Sequence, residues 1–256
     1  MTDLHYLTSP QGRRIAFHKT ASCAQIAGPG VVFLGGFKSD MTGTKAMYLQ
    51  KWALQRGKAF LRFDYSGHGA SSGNFLDGAI GDWFEDALAV IAANTEGPQI
   101  LVGSSMGGWI ALLLARAMPN RVAGLVGIAA APDFTEAMWA EASAVQQAAL
   151  MSAGQITQAS EYSATPYVIT RRLIEDGRRN LVLQSPLNLP FPVRFLQGTA
   201  DTDVPVSVAL RLLDHATGSD IRLALVKGAD HRFSTPACLA MMVQAVQDIL
   251  AGGANA

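Results

Sequence analysis

The chain has 256 residues, 49% hydrophobic and 16% charged, which is enough apolar material for one large α/β domain or one domain carrying an insertion. Lys plus Arg number 20 and Asp plus Glu number 20, so the formal net charge of zero provides no footprint for nucleic acid or for an anionic membrane surface. Cys23 and Cys238 are the two cysteines, too few for a disulfide framework or a metal cluster; they read as ordinary buried or half-buried thiols.

In chain order, Met1–Tyr6 lacks a basic region followed by an apolar run, so no signal peptide is expected. Strands are expected at Arg14–His18, Val31–Leu34, Ala59–Phe63, Ile100–Val102, Val122–Ile128, Val193–Leu196 and Ile221–Val226, several of them apolar on both faces as in a covered parallel sheet. Helices are expected between them. Lys45–Gln55 ends at Gly57, a C′ signal. Ala79–Asn94 aligns Ile80, Trp83, Ala87, Val90 and Ile91 in one stripe. Met106–Met118 is apolar almost all round and reads as a buried helix, too short to span a membrane because Arg116 and Pro119 end its apolar run. Pro236–Leu250 starts with Pro236 in its first turn and aligns Leu239, Met242, Val243, Val246 and Ile249. The last six residues read as a frayed tail. Alternating units of this kind specify an α/β fold with a mostly parallel, doubly wound sheet.

Residues 131–188 break the rhythm. No convincing strand stands there; helices are expected at Glu136–Met151 and Pro166–Asp176, with a polar joint at Ser160–Ser163. The segment therefore reads as a helical cap inserted into a core formed by residues 1–130 and 189–256. Phe134, Met138, Trp139, Val145, Leu150, Met151, Tyr167 and Ile169 either line an acyl pocket or pack the cap on the core. Arg171, Arg172, Arg178 and Arg179 form a solvated basic face or attract an anionic substrate.

The chemistry lies at Gly103-Ser104-Ser105-Met106-Gly107, a G-x-S-x-G frame between an apolar strand and a buried helix. The glycines permit a tight strand-to-helix turn that lifts the central serine from the sheet edge. Only Ser105 has glycine at both flanking positions. A serine hydroxyl needs an adjacent base, and in such a fold the base follows the nucleophile, with a carboxylate between them. His231, just after the last apolar strand, is the candidate base; His215 reads as a surface histidine within a helix. The frame Gly198-Thr199-Ala200-Asp201-Thr202-Asp203-Val204-Pro205 selects Asp201 to orient His231 and leaves Asp203 as a helix N-cap or a solvated loop acid. Asp230 adjoins His231 and is set aside, because sequence neighbours rarely face each other. Oxyanion donors are expected from the backbone N–H of Met106 and of Phe37, the latter after Gly35-Gly36. Asp64 and His68 precede Ser105 and read as parts of a tight turn near the mouth of the site.

From about Arg14 to Leu250 the chain resembles the α/β-hydrolase superfamily. The runs Gly36-Phe37-Lys38-Ser39-Asp40-Met41-Thr42-Gly43-Thr44-Lys45-Ala46, Arg62-Phe63-Asp64-Tyr65-Ser66-Gly67 and Gly103-Ser104-Ser105-Met106-Gly107-Gly108-Trp109 narrow the likeness. They are similar to the mitochondrial palmitoyl-protein thioesterase and acyl-glucuronide esterase branch of the α/β-hydrolase-domain family. The resemblance implies hydrolysis of small-molecule acyl esters or thioesters by Ser105, Asp201 and His231, a cap over an acyl pocket, no metal and no cofactor. No transit peptide is read at the N-terminus, and the expected location is the cytoplasm. The same triad could serve an acyltransferase or perhydrolase, and a catalytically silent ligand-binding member is the contrasting class. Dehalogenase chemistry is disfavoured, since its nucleophile in this fold is a carboxylate.

Overall fold

Gly30–Leu34, Gln99–Ser104 and Val193–Gly198 are buried at every position, as strands covered on both faces must be. They lie in an eight-stranded sheet in this computed structural model, which describes residues 3–23, 28–158 and 167–252, with the side chains of Gln158 and Tyr167 excepted. In chain order the strands are β1 (His5–Thr8), β2 (Arg14–Thr20), β3 (Gly30–Leu34), β4 (Phe60–Phe63), β5 (Gln99–Ser104), β6 (Val122–Ile128), β7 (Gln155–Gln158), β8 (Tyr167–Thr170), β9 (Leu187–Asn188), β10 (Val193–Gly198), β11 (Ala216–Thr217) and β12 (Ile221–Val226). The main sheet runs β1-β2-β4-β3-β5-β6-β10-β12. β1 pairs antiparallel with β2, and β2 with β4, while the pairings from β4 to β12 are parallel.

Helices α1 (Thr44–Gln55) and α8 (Pro236–Gly252) cover one face, where Ala46, Leu49 and Ala53 share a core with Met242, Val246 and Ile249. The stripe of α2 (Ile80–Asn94), the buried α3 (Met106–Ala117) and Leu212 of α7 (Val206–His215) build the core of the other face. Each stripe residue expected on α2 and α8 is buried. Gly57, after α1, adopts φ 61.

The strand order reverses around β3, which has β4 on one side and β5 on the other. The loops leaving the C-terminal ends of β3 and β5 therefore diverge, and a crevice opens between them where such sheets place their ligands. Leu34 is in register with Gly103, so both strands end at the same level.

β1 was not anticipated. Its four residues sit at an exposed edge and carry no apolar alternation; ladder pairing with β2 holds them, and the Arg14 guanidinium lies 4.4 Å above the Tyr6 ring. Residues 131–188 also differ from expectation. The expected helix over Glu136–Met151 is two helices, α4 (Phe134–Glu141) and α5 (Ala144–Ala153). Ser143 starts the second with a capping box: its hydroxyl accepts from Gln146 N–H at 3.3 Å, and the Gln146 side-chain oxygen accepts from Ser143 N–H at 2.9 Å. The S-x-x-Q signal is legible in the sequence. The expected helix from Pro166 is instead β8, in an antiparallel ladder with β7, followed by α6 (Arg171–Arg179). The β-branched Val168 and Ile169 favour the strand, and Thr170 caps α6 through its hydroxyl. The segment is thus mixed rather than wholly helical. The joint at Ser160–Ser163, Pro166 and the tail residues 253–256 lie outside the described residues.

α6 is bound firmly to the core. Asp176 accepts from Gly81 N–H at 2.6 Å, and the Trp109 indole donates to Asn180 O at 3.0 Å. Asp133, at the entry to the segment, accepts from the N–H groups of Val182 and Leu183 at its exit at 2.9 and 3.0 Å. Leu150, Ile169 and Ile174 form a small core of their own with Met138 and Trp139 against them, whereas Val145 and Met151 are exposed.

Candidate active site

The turn after β5 is built by close backbone approach. A β-carbon at Gly103 would lie 2.3 Å from Gly107 O, and one at Gly107 would lie 2.1 Å from Leu34 O and 2.6 Å from Gly35 O. Both glycines are required by contacts that no larger residue leaves room for. Between them Ser105 adopts φ 54, ψ −120, a region costly for a residue with a side chain. Its N–H donates to Ile128 O at 2.9 Å, and its carbonyl accepts from Gly108 N–H at 2.8 Å and Ala131 N–H at 3.1 Å. The strain is therefore held in place from β6, from the residues after it and from α3.

Ser105 sits at the N-cap of α3, whose first N–H is that of Met106. Intrahelical pairing leaves the first N–H groups of a helix unused, and the dipole there favours negative charge. On the β3 side, a β-carbon at Gly36 would lie 3.4 Å from Ser105 Cβ and 3.4 Å from Ser104 O. The loop that carries Phe37 thus runs directly against the serine.

Asp201 follows β10 and His231 follows β12, parallel strands in register from Val193↔Ile221 to Gly198↔Val226. Their loops leave the same sheet edge as Ser105. His231 Nε2 lies 3.1 Å from Ser105 Oγ, and His231 Nδ1 lies 2.9 and 3.1 Å from the two Asp201 oxygens. Ser105, His231 and Asp201, expected from three separate motifs, form one hydrogen-bonded chain. The Asp201 side chain is fully buried. Burial acts to raise its carboxyl, but the hydrogen bonds from His231, Val204 N–H and Gln197, with the charge interaction with His231, hold it below the ordinary carboxylate range.

Several partners of this chain were not expected. Gln197, at a buried strand position, donates to Asp201 at 3.0 Å and to Val204 O at 2.8 Å, which fixes the carboxylate from behind. A glutamine four residues before Asp201, in a strand whose other polar side chain is Arg194, was the available signal. Asp203 does not cap α7, whose N-cap is Pro205; it approaches His231 Nε2 at 3.8 Å. Asp230 accepts from Phe233 N–H at 3.1 Å and shapes the histidine turn. His215 closes α7, with Nε2 2.8 Å from Ser185 O. Cys23 is exposed rather than buried, and Cys238 is buried.

Asp64 and His68 stay apart from the triad, as expected. Asp64 accepts from Met41 N–H at 2.6 Å and Ala70 N–H at 2.8 Å, while Arg62 donates to Met41 O at 2.7 Å. The Met41 peptide is gripped from both sides, which anchors the loop containing Phe37. Burial raises the Asp64 carboxyl above its usual range despite these donors. The Phe37 ring packs edge-on against Phe75, Phe134 and Trp83, with centroids 4.9, 5.6 and 5.9 Å away. Phe37, Phe75, Trp83, Val168 and Leu173 line a narrow crevice there.

The four arginines of the inserted segment are engaged internally. Arg171 pairs with Glu175, Arg172 with Asp82, Arg178 with Glu136 and Arg179 with Asp176. Each guanidinium thus has a carboxylate partner within the chain while remaining partly exposed. Among the described residues no group of three or more His, Cys, Asp or Glu side chains is arranged to hold a metal ion.

A mostly parallel sheet with a strained serine at the turn after its central strand defines the class: an α/β-hydrolase. Residues 30–173 match the Hydrolase_4 family model, described as serine aminopeptidase, S33, and the chain belongs to this family of α/β-hydrolases. Among its relatives is the mitochondrial palmitoyl-protein thioesterase ABHD10 of Rattus norvegicus, 33% identical over 250 residues, covering 97% of this chain and 83% of the relative. The Homo sapiens counterpart is 32% identical over 250 residues, covering 97% and 80%. A solved structure of α/β-hydrolase domain-containing protein 10 from mouse superposes with a TM-score of 0.90 at 32% identity, covering 98% of this chain and 99% of that one. One from Agrobacterium vitis S4 gives 0.93 at 43% identity, covering 98% and 99%. The mitochondrial location of the curated relatives overturns the expected cytoplasmic one; the composition of six N-terminal residues was too little to place the protein. Among the described residues no helix is long and apolar enough to cross a membrane.

Proposed function

We propose that this hydrolase cleaves carboxylic esters or thioesters through an acyl-enzyme on Ser105. The observation that carries the reading is the unbroken chain Ser105 Oγ, His231 imidazole, Asp201 carboxylate, with contacts of 3.1 and 2.9 Å. Ser105 Oγ attacks the acyl carbon while its proton passes to His231 Nε2. Asp201 accepts from Nδ1–H and stabilises the imidazolium. The N–H groups of Met106 and Phe37 receive the negative charge that develops on the carbonyl oxygen. His231 then protonates the departing alcohol or thiol. Water, deprotonated by the same imidazole, releases the carboxylic acid and restores Ser105.

Residues 131–188 serve as a cap over the core. Val168 and Thr170 of β8 and Leu173 of α6 pack across the crevice beside Phe37, which supports a place for the segment over the loop that follows β3. The activity of the relatives as palmitoyl-protein thioesterases supports long acyl thioesters among the substrates.

The test is hydrolysis of chromogenic esters from acetate to palmitate, and of a palmitoyl thioester, by wild type and Ser105→Ala side by side. Turnover confined to the wild type is the expected result. Equal turnover by the folded Ser105→Ala protein would remove the serine from the mechanism.

A further inference from the structure

Lys45 stands in the first turn of α1, immediately after the loop that carries Phe37 and Met41. A cation there faces the positive end of the helix dipole, and no acidic residue in that turn offsets it. Helix stability does not explain it. Its Nζ donates instead to the carbonyl of Arg232, 187 residues further on and directly after His231. That carbonyl belongs to a constrained turn. Phe233 N–H donates to Asp230 O at 3.2 Å and to Asp230 Oδ1 at 3.1 Å, and Phe233 is fully buried with φ 49. One ammonium thus joins the helix behind the oxyanion loop to the turn that presents the histidine.

We propose that Lys45 is a positioning residue: its hydrogen bond to Arg232 O fixes the Asp230–Phe233 turn against α1 and so keeps His231 Nε2 on Ser105 Oγ. The inference rests on the reading of Ser105 and His231 as nucleophile and base. The titratable groups facing Lys45 are Asp230 and Arg232 of the histidine turn, Asp201 after β10 and Cys238 of α8. Burial lowers the lysine to about 8, against the pull of Asp230 and Asp201. An ammonium holds a carbonyl more strongly than a neutral amine does. Turnover therefore falls as the pH rises through about 8, by way of Lys45.

The test compares wild type, Lys45→Met, Lys45→Arg and Ser105→Ala on one chromogenic ester across pH 6–10, with thermal unfolding to establish that each variant is folded. In Lys45→Met, kcat falls about tenfold, the rate equivalent of one hydrogen bond to a charged group, while KM changes little and the alkaline limb near 8 disappears. Lys45→Arg, charged throughout, recovers most of kcat and keeps it to higher pH. Histidine-labelled NMR adds a readout independent of turnover, with the His231 ring resonances displaced in Lys45→Met and those of His5 and His215 unmoved. A folded Lys45→Met with the kcat, pH profile and His231 resonances of wild type overturns the proposal. Wild-type turnover equal to that of Ser105→Ala overturns the triad reading, and the proposal with it.

Discussion

A β-carbon added at Gly107 would stand 2.1 Å from the carbonyl oxygen of Leu34. The first turn of α3 and the end of β3 thus touch backbone to backbone, and this contact sets the separation between Ser105 and the loop bearing Phe37. Gly107→Ala forces one of the two apart. Since the obstacle is backbone rather than a movable side chain, we expect a loss of about 3 kcal/mol, the upper range of overpacking costs, with esterase activity abolished in the protein that folds. Urea unfolding measures the first effect and ester turnover the second; wild-type stability would mean that β3 yields readily.

In the proposed triad Asp201 contributes charge as well as geometry. Asp201→Asn keeps a similar shape but loses the negative partner for the imidazolium and offers an amide where Val204 N–H and His231 need an acceptor. We expect kcat to fall by roughly 10³–10⁴, the scale of such a change in a serine triad. Stopped-flow acylation separates this from slower deacylation. A loss under tenfold would assign the orienting role elsewhere.

Asp133 ties the entry of the inserted segment to its exit. Its carboxylate serves the N–H groups of Val182 and Leu183, both buried residues. Asp133→Ala leaves two donors without their acceptor, so we expect a loss of about 3 kcal/mol from the desolvation they then suffer. Hydrogen exchange should show the loss concentrated at residues 182–183; a purely global change would contradict the local account.

The pH dependence of stability carries the mark of Lys45. Its folded-state value is about 8 against an ordinary 10.5. Below pH 8 both states are charged and the full cost of burial is present. Between pH 8 and 10.5 the unfolded chain holds the proton that the folded protein has released, so folding stability rises with pH. Denaturant titrations of wild type and Lys45→Met should therefore diverge in slope across that window, with wild type gaining relative to the variant. Parallel curves would mean that the ammonium is well solvated.

Much of the fold was readable because its signals are local. Ile80, Trp83, Ala87, Val90 and Ile91 share one helix face at any tertiary arrangement, and Val31–Leu34 is a short apolar run, rich in β-branched and aromatic residues, that suits a covered strand. Ser105, Asp201 and His231 stood out because each follows an apolar strand in an order the chain alone displays. β1 and the ladder of β7 with β8 gave weaker signals, since cross-strand pairing, which binds residues distant in sequence, makes them strands.

The order of residues along the chain is enough to show which of them could act: a serine framed by Gly103 and Gly107, and a carboxylate and a histidine after later strands. How they are held emerges from the folded arrangement. Gln197 behind Asp201, the grip of Arg62 and Asp64 on Met41, and Lys45 on the Arg232 carbonyl join residues 4 to 187 positions apart. A hydrogen bond depends on distance and direction in space, and these follow from the reversal of strand order around β3 and the shared C-terminal edge of β5, β10 and β12. No local pattern in the chain encodes either.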